Sequence, residues 1–144
     1  MVRLLAFIRH ADPGLVLGAG VGDTGEPDLA IKDLTGAMRL SIDVGLPDWR
    51  RVKKSVLRTR EHVVYTYGGR AATSWWKLAA EPLAACPNLT VMAVPDATLA
   101  AMAALIERSM EFDCMVQDGE LRLTAGTRSV SADIVSWQTV TNLP

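Results

Sequence analysis

The chain has 144 residues, 49 % of them hydrophobic and 22 % charged, which supplies a core for one domain and excludes a disordered polypeptide. The net charge of −1 exerts no global pull on nucleic acid. No apolar run is long enough to cross a membrane, and residues 1–8 are too short for the core of a secretory signal before Arg9 interrupts them. Cys86 and Cys114 stand apart without metal-ligand spacing, the pattern of reduced thiols in a cytoplasmic protein with no membrane association.

Residues 1–11 read as a helix stopped by Asp12-Pro13-Gly14, with Leu4, Leu5 and Ile8 as its packing face. An apolar run ending in Arg9-His10 also opens the histidine phosphatases, which need a second histidine after a later strand. Here His62 precedes the predicted strand 63–67, so that reading is a distant third. Gly20-Val21-Gly22-Asp23-Thr24-Gly25 spells GxGxxG, but too few residues follow for the helix a dinucleotide site requires, so a Gly-rich loop is expected.

Residues 38–44 alternate strictly. Met38, Leu40, Ile42 and Val44 face one side, and Arg39, Ser41 and Asp43 the other, which predicts a strand. With residues 29–32 as its hairpin partner, Asp28 enters the hairpin where Asp43 leaves it. Two carboxylates at one end of a ribbon raise each other's pKa unless something offsets the charge. A divalent cation such as Mg²⁺, which takes one or two carboxylates, would do so. The alternative is a turn-forming Asp28 and an Asp43 paired with Arg39 or Lys53. Both aspartates are expected to open to one polar pocket.

Asp48 should cap a helix over residues 49–60, with Trp49, Val52, Val56 and Leu57 as its apolar arc. Lys53 falls inside that arc, where it either snorkels to water or serves a site; Lys54 falls outside. Residues 39–70 hold eight Lys and Arg against three Asp and Glu, a local charge of +5 beside the carboxylates, whether as a solvated face or a nucleic-acid surface. After the strand 63–67, Gly68-Gly69-Arg70 leads into a helix with Trp75 and Trp76. Such a turn is either a tight strand-to-helix connection or a phosphate clamp through Arg70, and the tryptophans read as core. A strand over 88–94, a helix over 97–109 with Leu99, Met102, Ala103 and Ile106 on one face, and a hairpin over 111–124 turning at Asp118-Gly119 follow. The tail is weakly patterned, with one short strand near Val130. Together these elements predict an α/β fold with a mixed sheet flanked by helices and a C-terminal β-hairpin.

Pro27-Asp28 followed by Asp43-Val44-Gly45 has the spacing of the PD-(D/E)XK nuclease superfamily. Glu26-Pro27-Asp28-Leu29, Lys32-Asp33-Leu34-Thr35-Gly36, Val44-Gly45-Leu46-Pro47-Asp48, Val63-Val64-Tyr65-Thr66-Tyr67-Gly68-Gly69-Arg70-Ala71, Trp75-Trp76 and Glu107-Arg108-Ser109-Met110 resemble the bacterial YaeQ family, over residues 1 to about 130. That family is known as a variant of the PD-(D/E)XK fold with a poorly defined role. The resemblance implies one domain over 1–144 with a restriction-endonuclease-like core, lacking the N-terminal strands its relatives carry. It implies two open readings. One is a nuclease-like enzyme in which Asp28 and Asp43 ligate Mg²⁺, supported by the Val44 carbonyl and Glu26. There Lys53 or Lys54 replaces the motif lysine that Gly45 lacks, and Arg51 and Arg70 contact substrate. The other is a non-catalytic nucleic-acid- or protein-binding protein on a degenerate nuclease fold.

Overall fold

A computed structural model of the chain describes residues 2–18, 27–108, 111, 113–117 and 120–140, with side chains for all but 106–108. In chain order the elements are α1 (Val2–Arg9), β1 (Leu15–Leu17), β2 (Leu29–Lys32), β3 (Met38–Val44), α2 (Trp49–Val56), β4 (Thr59–Thr66) and α3 (Arg70–Leu83). They continue with β5 (Leu89–Ala93), α4 (Asp96–Arg108), β6 (Asp113–Gln117), β7 (Glu120–Ala125), β8 (Arg128–Ala132) and β9 (Val135–Gln138). The larger sheet runs β1-β2-β3-β4-β5-β9. Its β3, β4 and β5 are parallel, while β1, β2 and β9 join antiparallel. The smaller antiparallel sheet is β6-β7-β8. The mixed sheet flanked by helices is therefore the architecture expected.

Alternation along β3 and β4 sorts side chains onto two faces. On the first, Leu29, Ile31, Leu40, Ile42, Val63 and Tyr65 are buried beneath α1, α4 and the smaller sheet, with Met102, Leu121 and Leu123 among the side chains closing over them. On the second, Val64, Leu89 and Val91 pack against Val52 and Val56 of α2 and Ala79 and Leu83 of α3. Each layer buries the apolar stripe of its helices, the usual reason helices sit on a sheet. Trp75 and Trp76 pack against this second cluster. Trp76 stacks on Trp137 with centroids 5.5 Å apart, and Trp75 Nε1 donates to the Pro47 carbonyl at 2.6 Å.

Several boundaries differ from expectation. Helix α2 ends at Val56 rather than residue 60, because the chain is taken up into β4, whose parallel pairing with β3 begins at Met38↔Thr59. Leu57, placed on the helix's apolar arc, is exposed instead. Strand β4 begins at Thr59, so His62 lies within it. Helix α1 buries Val2, Leu5 and Ala6, with Leu4 and Ile8 half-buried. The short strand expected near Val130 is β8, which pairs with β7 and extends the C-terminal hairpin to three strands. Strand β9, which the pattern did not announce, pairs with β5. The Gly-rich stretch 20–25, Glu26 and the turn Asp118-Gly119 lie outside the described residues. Among the described residues, no helix is long and apolar enough to cross a membrane.

Candidate functional site

The two aspartates stand at one end of the hairpin but do not open to a shared polar pocket, because Asp43 is buried. Leu29 is opposite Ile42, so Asp28, just before β2, and Asp43, within β3, both adjoin the last pair of the ladder. Their surroundings then diverge. Asp28 Oδ2 accepts the Val44 N–H at 2.8 Å, and Oδ1 lies 3.8 Å from Arg3 Nε. Arg3 belongs to α1, on the first face of the sheet. Its guanidinium also reaches the carbonyls of Gly18 and Asp28, at 3.5 and 3.4 Å. The Asp28 carboxylate is thus part of the closure of the hairpin onto α1.

Asp43 belongs to the second face and is 2 % exposed. Its Oδ1 accepts from Arg51 of α2 at 3.4 Å, and its Oδ2 lies 3.2 Å from His62 Nε2. His62 is fully buried, and its Nδ1 is 2.5 Å from Ser41 Oγ. Ser41 and His62 are direct partners in the β3–β4 ladder, so alternation alone brings Ser41, Asp43 and His62 together beneath α2. The Nε2–Oδ2 contact is short, yet neither atom has a well-directed hydrogen bond. Serine, histidine and aspartate are the residue types of a nucleophilic triad. Here Ser41 is 2 % exposed and His62 fully buried, which leaves no path for a substrate to the hydroxyl. The network offsets a buried charge.

The expected cations are distributed otherwise. Arg51, assigned to substrate, is the one on Asp43. Lys53 is exposed, its ammonium 5.6 Å from the centroid of the Trp49 ring; Lys54 is exposed as well. Arg39 pairs with Asp12 at 3.0 Å, not with Asp43. Position 45 is more than a missing lysine. Gly45 has φ +117° and donates its N–H to the Tyr65 carbonyl at 2.9 Å, a conformation that a side chain there would strain.

The Gly68-Gly69 turn has an internal reason. A Cβ on Gly69 would stand 2.9 Å from Asp96 Oδ2, and Gly69 has φ +55°. The carboxylate at the start of α4 thus comes close to the N-terminus of α3, where negative charge is favoured. Arg70 is exposed.

The two histidines do not converge, which removes the phosphatase arrangement. His10 lies at the end of α1, with Nε2 2.6 Å from the Tyr65 hydroxyl, whereas His62 points to the opposite face of β4. Burial first, and then neighbouring Arg9, lower the His10 pKa to about 4; burial raises that of Tyr65. The buried contacts of His62 and Tyr65 were missed in the sequence. Their signal was the β3–β4 register, which a single chain does not print.

The donors at the hairpin end do not fit Mg²⁺ as arranged. Asp43 is buried and already holds Arg51 and His62, and Asp28 accepts a backbone N–H. Among the described residues, no group of three or more His, Cys, Asp or Glu could hold a metal.

Comparison with known proteins gives one consistent answer. An uncharacterised YaeQ protein of Escherichia coli K12 is 32 % identical over 138 residues, covering 96 % of this chain and 76 % of the relative. A Salmonella typhi counterpart is 31 % identical over the same length. The crystal structure of the YaeQ protein from Xanthomonas axonopodis pv. citri superposes with a TM-score of 0.87 at 43 % identity, over 95 % of this chain and 77 % of that one. That from Pseudomonas syringae gives 0.83 at 26 %, over 96 % and 76 %. The family described as YaeQ protein matches residues 1–134, and the chain belongs to that family.

Proposed function

We propose that the protein binds nucleic acid without cleaving it, on a nuclease-like fold whose carboxylates are engaged in internal ion pairs. The observation that carries this reading is α2. Its eight residues, WRRVKKSV, include four cations and no acid. Arg50, Lys53 and Lys54 are exposed, while Val52 and Val56 hold the helix on the sheet. A rigid helix presenting cations outward suits the phosphate backbone, whose contacts set affinity and salt dependence. Trp49, beneath Arg50 and Lys53 at 4.8 and 5.6 Å, restrains both side chains by cation–π attraction.

A second reading, a Mg²⁺-dependent nuclease, is favoured by the placement of Asp28 and Asp43 next to the Leu29–Ile42 pair at one end of the hairpin. It requires the Arg51 and His62 contacts to be exchanged for a metal in a buried place, and desolvation opposes that exchange.

Fluorescence anisotropy with labelled single- and double-stranded oligonucleotides in EDTA tests the proposal. Wild-type protein is expected to bind, with affinity falling steeply with salt. The double variant Lys53→Gln/Lys54→Gln should bind more weakly, with the salt slope reduced by about 2. Absence of binding in EDTA, with Mg²⁺-dependent cleavage that Asp43→Asn abolishes, would establish the nuclease instead.

A further inference from the structure

We propose that the cavity between the end of α1 and the starts of β3 and β4 binds a small phosphoryl-type oxyanion. The cavity measures about 410 Å³, and Arg9, His10, Asp12, Arg39, Arg60 and Glu61 stand around it. Three arginines line it from three elements: Arg9 from α1, Arg39 from β3 and Arg60 from β4. Asp43 is four residues along β3 from Arg39, about 13 Å at the rise of an extended strand, so this place is separate from the carboxylate pair.

Its donors are set by the groups behind them. Arg9 stands near the Tyr65 hydroxyl, where its charge opposes the rise that burial gives the phenol pKa. Tyr65 Oη lies 2.6 Å from His10 Nε2 and fixes the imidazole at the cavity wall. The imidazole, neutral at pH 7 because its pKa is lowered to about 4, lines the cavity without adding charge. Of the two carboxylates, Asp12 is already satisfied. Oδ1 takes the Gly14 N–H at 2.8 Å and Oδ2 takes Arg39 at 3.0 Å, which commits one corner of the Arg39 fork and leaves the rest. Arg60 is exposed. It lines this cavity and an adjoining one of about 420 Å³ that also holds Arg39 and Arg58. Guanidinium forks suit phosphate oxygens bidentately. A tetrahedral oxyanion offers acceptors to forks arriving from three sides, which a planar carboxylate cannot do equally.

The test is titration of ¹⁵N-labelled protein with inorganic phosphate, followed by amide shifts, with glycerol phosphate as a second arm. A saturable response centred on residues 9–12, 39 and 60–61 is expected with at least one of the two. The tighter ligand then identifies free phosphate or a phosphomonoester as the source. Arg60→Gln should weaken binding about tenfold, the loss of one charge-assisted contact. Arg60→Lys, which keeps the charge and loses the fork, should fall between. Lys53→Gln/Lys54→Gln should bind phosphate as wild type does. No saturable response, an Arg60→Gln variant that binds as wild type, or a loss in the lysine double variant would overturn the site; the last would show diffuse attraction to charge. Failure of the oligonucleotide experiment leaves this result untouched, since the two use different residues.

Discussion

At the scale of single residues, Asp43 and His10 have the most to say, because each carries a titratable group into a mostly buried place. Asp43 is held by Arg51 and His62 at 3.4 and 3.2 Å. Removing one member of a buried charged set leaves the others uncompensated. Asp43→Asn keeps the shape but lessens the attraction for both partners and should lower the unfolding free energy by about 1–3 kcal/mol. Asp43→Ala should lower it by about 3–5 kcal/mol; urea denaturation measures both. A variant as stable as wild type would show that the network contributes nothing. His10 sets a pH dependence whose direction follows from its depressed pKa, about 4 in the folded protein against 6.5 as the ordinary value. Between those two values the unfolded chain binds a proton that the folded chain does not, so unfolding is favoured as pH falls through that window. Above 6.5 the contribution is constant. Thermal melts from pH 7 to 4 should therefore show a loss of stability that His10→Gln reduces. An identical profile in the variant would place the acid sensitivity elsewhere.

At the scale of elements, pattern and partner divide what was legible. The alternation of residues 38–44 announced β3, and Asp48 accepts the Arg50 N–H at 2.8 Å as the cap of α2. Both signals are local. The end of α2 was misplaced because Leu57 continues a helical stripe, and only the pairing of Thr59 with Met38 shows that the chain has already become a strand. Lys53 was placed inside the arc for the same reason. Once Leu57 is exposed, the buried stripe narrows to Val52 and Val56, and the neighbouring cation that reaches the sheet is Arg51. The Gly68-Gly69 turn was legible as a turn, but its cause, Asp96, lies far along the chain. Gly69→Ala should cost at least about 1 kcal/mol from the positive φ alone, and more from the 2.9 Å approach to Asp96 Oδ2. Asp96→Ala should relieve the second part and leave the first, which a double-mutant cycle by chemical denaturation separates. Additive effects would mean that the carboxylate does not constrain the turn.

At the scale of the whole molecule, the sequence carried the architecture and the hairpin of β2 and β3, because hairpin register is a local property. It did not carry which face each carboxylate takes or what waits there. Arg3 stands 25 residues before Asp28, and His62 stands 19 residues after Asp43 on a parallel neighbour. Parallel pairing joins distant segments with no turn to mark it. The central claim is that the Asp43 carboxylate is an internal ion pair beneath α2 and that the outward-facing cations of α2 make the proposed nucleic-acid surface. The most direct measurement is a Mn²⁺ titration of ¹⁵N-labelled wild-type protein, read as paramagnetic broadening, with Asp43→Asn alongside. The account predicts no saturable broadening centred on residues 28 and 43–45, and the same spectra in the variant. Saturable broadening at those residues that disappears in Asp43→Asn would contradict it and restore the metal site.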